Sequence, residues 1–327
     1  MAGTGSNPTE RKRADIAEAL EALPPLPAVA LRVMEVAQNP KSSASDLALV
    51  VSSNPGLSGR IPRVVNSAAY RRSREVTSVQ EALVTLGFVQ ARNMAISGAI
   101  AGAYAPDALN ALFRIETFWR HSIAVAFKAA ELAGQNRRLD VPSAFTAGIL
   151  HNMGRLAMFY ADPAALDQAV AEAIVRGVSI EETEAEILGY DHAEVGGRLA
   201  ARWKLPEAIR EAIANHHSGA AAEGSLATCV AAADRYVCGN GLLPGYVVPP
   251  AAGERRAVAP DYPHLEKQVE ALMDACENDA VGGLLNATLG NLTELVIAFT
   301  AMRAGQYMLV KASIAGAIVT NTLFMLG

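Results

Sequence analysis

Five histidines and one aspartate hold most of the chemistry this sequence suggests. His121, His151, His192 and the pair His216-His217 each end up on an apolar helical face, and Asp234 sits in the apolar stretch 225–238. Neutral imidazole together with carboxylate is the ligand set of a dinuclear transition-metal site, and the core of a helical bundle is where such sites are built. The divalent ions that suit these donors are Mn, Fe and Zn. One residue disturbs the set. His151 is followed by Asn152, an amide where a metal site calls for a carboxylate. An amide is neutral, supplies one oxygen where a carboxylate supplies two, and bridges two cations poorly. The alternative is a group of core histidines bonded to one another, to Asn152 and to Asp234.

The elements that position these residues read as helices. Phe118, His121, Val125 and Leu132 keep 3/4 spacing, so His121 faces inward. Asp140 to Ser143 caps a helix expected to run unbroken through Ala144, Gly148, His151 and Arg155. Ser179 with Glu182 and Asp191 with Glu194 have the spacing of capping boxes, the second placing His192 in a first helical turn. Pro206 opens the helix that leads to His216 and His217.

Earlier in the chain, a short helix over 14–23 stops at Leu23-Pro24-Pro25-Leu26-Pro27, and Ser43 or Ser45 caps the next but one. Ser78 with Glu81 makes another box, and Gly87 separates two helices. Pro62 either is tolerated in its helix or kinks it. No period-2 run long enough for a strand stands out, so the expected fold class is all-α.

Composition agrees. Half the residues are apolar (51%) but only 6% are aromatic, and alanine is abundant, which favours packed helices over sheets. A net charge of −5 argues against a dedicated nucleic-acid binder. The 3 cysteines form no C-x-x-C pair, which points to a reduced, cytoplasmic setting for residues 1–280. The polar N-terminus is expected to be a disordered tail over 1–19.

Several separate motifs then occur in order: Leu23-Pro-Pro-Leu-Pro-Ala-Val-Ala, Asn54-Pro-Gly-Leu, Val65-Asn-Ser-Ala-Ala-Tyr70 and Ser78-Val-Gln-Glu-Ala-Leu-Val-Thr-Leu-Gly87. With them the chain resembles the HDOD family over about residues 20–275. These are bacterial helical signalling domains related to the HD phosphohydrolases. The resemblance implies an N-terminal helical half over 20–115 and a degenerate HD-type half over 116–280. It puts His121, His151, His192, His216, His217 and Asp234 at the superfamily's metal-ligand positions, where metal-bound hydroxide attacks phosphorus. It also marks two departures: His151-Asn152 replaces the His-Asp pair, and Arg155 replaces a nearby lysine. No Gly-Tyr-Pro follows His216-His217, which argues against the cyclic di-GMP phosphodiesterase branch. Asn66 and Arg92-Asn93 match polar positions of the family and are read as interhelical hydrogen-bond formers. The implied function is non-catalytic signal transduction with protein or ligand partners; a metal-dependent phosphohydrolase is the enzyme alternative.

The last segment differs in composition. From Val281 to Gly327 the only charges are Glu294, Arg303 and Lys311, and Leu284–Met302 and Met308–Leu326 are each 19 residues long. A pair of soluble core helices is one reading, although the run has the ~20-residue length that spans a bilayer. The segment containing Gly290-Asn291-Leu-Thr-Glu294 and Val310-Lys-Ala-Ser-Ile-Ala-Gly-Ala-Ile-Val-Thr-Asn321 resembles the first repeat of calcium/proton antiporters. That resemblance makes Glu294, with Asn291, an ion-binding candidate inside a membrane. Such transporters use two inverted repeats, so 281–327 is expected to be a truncated transporter piece, a fusion or a membrane anchor.

Overall fold

The structure, a computed structural model, describes residues 16–39, 41–67, 70, 74–104, 112–218, 221–246, 259 and 262–273. Met1–Asp274 group as one unit and Ala275–Gly327 as another. The hydrophobic pair expected over 281–327, with Asn291 and Glu294, lies outside the described residues, as do residues 1–15 of the expected tail. Residues 16–19 are not a tail. They belong to a helical stretch over 16–22 in which Ile16 and Ala19 are buried.

Thirteen helices follow among the described residues: α1 (Ala28–Gln38), α2 (Ala44–Ser52), α3 (Pro55–Asn66), α4 (Val79–Leu86), α5 (Phe88–Ala101), α6 (Ile115–Gly134), α7 (Val141–Leu150), α8 (Met153–Ala161), α9 (Pro163–Arg176), α10 (Ile180–Leu188), α11 (His192–Arg202), α12 (Glu207–Asn215) and α13 (Leu226–Gly239). Residues 262–273 are also helical, and no strand occurs among the described residues. The expected all-α class is what folds.

Local signals explain most helix starts. Ser43, not Ser45, caps α2 in a complete box with Asp46. Asn54 accepts from Leu57 N at 2.9 Å at the start of α3, and α3 runs on through Pro62. Ser78 and Asp191 each accept from the backbone three residues on. Ser179 makes no side-chain cap bond, so the capping box expected there does not form; Glu182 instead lies 3.7 Å from Arg176. Gly87, at φ 77, joins α4 to α5.

In the first half α1 packs on α2 and α5, and α3 and α4 pack on each other and on α5. Its core is built from Leu47, Val51, Ile61, Val65, Leu83, Met94 and Ile100. The polar residues expected to bridge helices act locally instead. Asn66 clamps the backbone of Val76, and Arg92 donates to its own neighbour Asn93 within α5.

In the second half α6 packs along α7 and α13, α11 packs on α8 and α12, and α12 packs on α7 and α13. Glycine lets two of these pairs close up. A Cβ on Gly148 would sit 2.6 Å from Ala126 Cα, and one on Gly154 would sit 2.0 Å from the carbonyl oxygen of His192. The halves are joined where α1 and α5 meet α7. The Tyr104 hydroxyl donates to the carbonyls of Pro24 and Pro25 at 3.1 and 2.9 Å, and Arg202 donates to the carbonyl of Leu20.

One expected element is two. The helix read as continuous from Ala144 to Arg155 stops at Leu150, turns through His151-Asn152, and restarts at Met153. Asn152, at φ −98 and ψ 7, leaves the helical path, and the ring of His151 bonds to the carbonyl of Gly148 behind it. The turn puts the histidine at a helix end, beside α13 and α11.

Candidate metal centre

Six of the sequence-derived site residues meet in the second half, in two groups; five are buried, and His217, expected to face inward, is exposed at the edge of the cluster. The first is His121 from α6, His151 from the α7–α8 turn and Asp234 from α13, with ligand atoms within 4.8 Å of one another. The second, meeting the same limit, is His192 from the start of α11 with His216 and His217, which follow α12. The rings form one continuous chain. His121 and His151 centroids are 5.4 Å apart, His151 and His216 are 5.0 Å apart, and His216 lies 5.3 Å from His192 and 4.0 Å from His217.

In the first group, backbone carbonyls set the tautomers. His121 Nδ1 is 2.9 Å from the Leu242 oxygen and His151 Nδ1 is 2.7 Å from the Gly148 oxygen. A carbonyl only accepts, so both Nδ1 atoms carry hydrogen, and in the neutral rings both Nε2 atoms are lone-pair acceptors. Those acceptors face Asp234 Oδ1 at 3.1 and 3.9 Å. Lone pairs facing a carboxylate repel unless a proton or a cation lies between them. Both Nε2 atoms, and the Asn152 oxygen, are buried without a hydrogen-bond partner. Oriented acceptors of this kind, fixed through the opposite ring nitrogen, are what a metal ligand needs. The residues therefore fit a divalent ion at this group.

The second group is tied differently. His192 Nδ1 is 2.5 Å from Glu184 Oε2, His216 Nδ1 is 2.7 Å from the Ile213 oxygen, and His192 Nε2 lies 3.3 and 3.0 Å from the Nε2 atoms of His216 and His217. Beside it sits Arg155, 0% exposed. Its Nε donates to Glu184 Oε1 at 2.8 Å, and its Nη2 lies 2.8 Å from His192 Nδ1 and 3.3 Å from His192 Nε2.

Burial dominates the titration of the cluster. It pushes His151 down to about 3, with Asp234 opposing, and holds His192 and His216 well below the ordinary histidine range. Burial also works against the charge of Asp234, but a proton or cation held at the contact with His121, together with the nearby rings, outweighs it and keeps that carboxyl well below its usual range. Arg155 is likewise opposed by burial and raised by Glu184. A cleft of about 370 Å³, lined by Glu181, His216, His217, Thr228, Asp234 and Arg235 among others, opens onto the cluster.

Several participants were not read from the sequence. Glu184, 0% exposed, bonds both Arg155 and His192. The only signal for it was its place on the inward face of α10 with Ile180 and Thr183. The carbonyls of Leu242 and Pro244 reach His121 and Arg155 from the loop after α13, and Cys238 Sγ lies 3.5 Å from Asp234 Oδ1. Asn152 makes none of the bonds expected of it in a purely hydrogen-bonded cluster through its side-chain oxygen.

The family model of the HDOD domain matches residues 23–219. The chain belongs to the HDOD domain family. An uncharacterised protein of Treponema pallidum (strain Nichols) is 25% identical over 212 residues, covering 64% of this HDOD chain and 40% of that protein. An HDOD domain protein of unknown function from Geobacter sulfurreducens shares the fold, with a TM-score of 0.61 at 24% identity, over 84% of this chain and 97% of that one. A presumed phosphohydrolase from Shewanella amazonensis SB2B is similar at a TM-score of 0.59 and 28% identity, over 79% of this chain and 98% of that one.

The sodium/calcium exchanger family matches residues 267–327. A Ca(2+)/H(+) antiporter of Aphanothece halophytica is 53% identical over 47 residues, which are 14% of this chain and 13% of the antiporter. No helix among the described residues is long and apolar enough to cross a membrane.

Proposed function

We infer that this HDOD chain is a regulatory output module that acts through contact with a signalling protein or a small ligand and does not hydrolyse phosphate esters. Asn152 is the observation that carries this reading. It is 2% exposed, its oxygen has no partner, and it puts a neutral amide beside His151 where the HD resemblance implies an anionic bridge. Charge supports it. Asp234 is the one carboxylate among the six donors, because the charge of Glu184 is matched by Arg155. Two divalent ions would leave a buried excess of positive charge, which a low-dielectric interior opposes strongly.

One divalent ion (Mn, Fe or Zn) is compatible with His121, His151 and Asp234, with His192, His216 and His217 beside it. When bound, such an ion supplies a Lewis acid and a water of lowered pKa. The chain's own residues would orient it: the carbonyls of Leu242 and Gly148 fix the two rings, and Glu184 fixes His192. Contact with a protein is supported by Leu49 and Val84, 71% and 77% exposed on the packed pair α2 and α4. Exposed apolar side chains on one face mark interaction surfaces when they cluster.

The second reading, a metal-dependent phosphohydrolase, is supported by the complete imidazole set and by the Shewanella similarity. Hydrolysis of bis(p-nitrophenyl) phosphate by the full chain with added Mn²⁺ separates the two. No turnover is expected from the wild type, and Asn152→Asp is expected to gain metal-dependent turnover. Wild-type turnover that His151→Gln abolishes would sink the regulatory reading.

The exchanger match supports a third, separate role for the C-terminal segment: a membrane-associated piece in which Glu294 and Asn291 ligate a cation, attached to a cytoplasmic 1–280. Fractionation tests it, since retention in the supernatant without detergent excludes membrane insertion.

A further inference from the structure

We propose that this chain holds one divalent ion and not two: His121, His151 and Asp234 take it, while the guanidinium of Arg155, tied to Glu184 and lying against His192, stands in for a second cation. The proposal rests on the cluster described above but is independent of whether the chain turns over a substrate.

Both groups place three ligand atoms within 4.8 Å, so spacing alone does not choose between them. Three other observations do. Charge is the first. The His121 group includes the carboxylate of Asp234, whereas the His192 group consists of three imidazoles. Its nearest carboxylate, Glu184, is already matched by Arg155 at 2.8 Å. A dication bound by these imidazoles beside a fixed guanidinium would meet a like charge, with only the part-exposed Glu181, 3.7 Å from His217, to compensate it.

The second is hydrogen-bond satisfaction. His121 Nε2 and His151 Nε2 face only the carboxylate of Asp234, at 3.1 and 3.9 Å, whereas His192 Nε2 has groups able to donate to it, Arg155 Nη2 at 3.3 Å and His217 Nε2 at 3.0 Å. The third is access. Arg155 Nη2 lies 3.3 Å from His192 Nε2, the atom that would have to ligate, and is itself anchored by Glu184 and by the Pro244 carbonyl at 3.4 Å. Arg155 is fully buried, so it does not swing out into water to make room. Its planar fork, held by three partners on α10, α11 and the loop after α13, keeps the charge in place.

The arrangement gives Arg155 and Glu184 a defined role. Glu184 accepts from the His192 backbone N–H at 3.0 Å and faces the ring nitrogen as well, so it orients the ring while neutralising the guanidinium. A cation that is part of the fold does not depend on metal supply. The group around it then keeps its shape whether or not the first site is loaded.

The test is the stoichiometry of Mn²⁺ binding to the full chain, by elemental analysis after dialysis and by electron paramagnetic resonance. One equivalent with the six-line spectrum of an isolated ion is expected for the wild type. Asp234→Asn should lose it, and His192→Gln should keep it. Arg155→Met removes the fixed guanidinium and frees the Glu184 carboxylate beside His192, and should gain a second equivalent with the spectrum of a coupled pair. Two equivalents in the wild type, none at all, or loss of the ion in His192→Gln would each overturn the proposal. A folded Arg155→Met variant that still binds one ion would also overturn it. If Arg155→Met fails to fold, the Asp234 and His192 variants still decide where the ion sits. Failure of the regulatory reading shows up separately, as wild-type turnover, whatever the stoichiometry.

Discussion

The two helical halves satisfy their buried polar groups in different ways. Among the described residues, three buried polar side chains precede residue 112 (Arg92, Asn93 and Ser97), and twelve follow it. In the first half the buried Arg92 reaches only the next residue, and the longer bonds, Arg60 to the Gly98 carbonyl and the Tyr104 hydroxyl to those of Pro24 and Pro25, tie side chains to backbone. Around the histidines they are long-range, joining Arg155 to Glu184 across 29 positions and His121 to Leu242 across 121. Local polar bonds shape an element. Long-range ones fix rings relative to each other, and here they leave ring acceptors facing a carboxylate, an arrangement hydrogen bonding alone does not favour. The first half is packed to be stable, and the second is organised to hold something.

Acid is the strongest way to press on that contrast. Burial keeps His151, His192 and His216 neutral, His151 down to about 3 and the others well below their ordinary 6.5. The unfolded chain binds protons on these rings near pH 6.5 while the folded chain does not. Stability is therefore full above that pH and falls as pH drops toward the folded values. At about 1.4 kcal/mol per group and pH unit, three rings lose roughly 4 kcal/mol per unit. Set against a whole-domain stability of about 5–15 kcal/mol, that is enough to unfold the chain a few units below pH 6.5. Thermal melts by circular dichroism should show Tm falling steeply from about pH 7 to 5, and glutamine at the three positions should flatten the profile. A flat wild-type profile would mean the rings are not held neutral in the fold.

The next effect compares two buried guanidiniums. Glu184→Ala leaves Arg155 buried without its carboxylate and should cost about 3–5 kcal/mol, the range for breaking a buried ion pair. Arg92, 3% exposed, pairs with the amide of Asn93, so Arg92→Met removes a charge and orphans no buried ion. Its cost should be closer to that of an ordinary hydrogen bond, about 1 kcal/mol. Urea denaturation measures both. Equal losses would erase the distinction between the halves.

What could be read from the sequence follows the same division. Helices were legible because apolar periodicity and caps are local, and His121, His151, His192 and His216 could be placed facing inward for that reason, whereas His217, placed with them, is exposed. The convergence of His121, His151, His192, His216, His217 and Asp234 needed the family resemblance in addition. The break at His151-Asn152 was not legible, since no proline or glycine marks it and the chain on both sides keeps a helical pattern. Glu184 was missed because its partners lie 29 and 8 positions away on other helices. An acidic residue near a helix start reads first as a cap or a solvated charge. The carbonyls of Leu242 and Pro244 were invisible in principle, because a backbone oxygen has no residue type to betray it.

The smallest effect tests the local end of that scale. Ser43 and Ser179 both stand three residues before an acidic residue; Ser43 reads as one of two candidate caps, and Ser179 as the opening of a capping box. Ser43 forms the box, with Asp46 N donating to its hydroxyl and Ser43 N donating back to Asp46 at 2.7 Å. Ser179 forms none; the α10 start is held instead by the burial of Ile180 and by Thr183, whose hydroxyl donates to the Ala169 carbonyl at 2.9 Å. Ser43→Ala should therefore cost about 1 kcal/mol, the ordinary value of a cap, and Ser179→Ala should stay within about 0.5 kcal/mol of wild type. If the two substitutions cost the same in urea melts, the α10 start depends on a cap after all, and the second half leans on local bonds as much as the first.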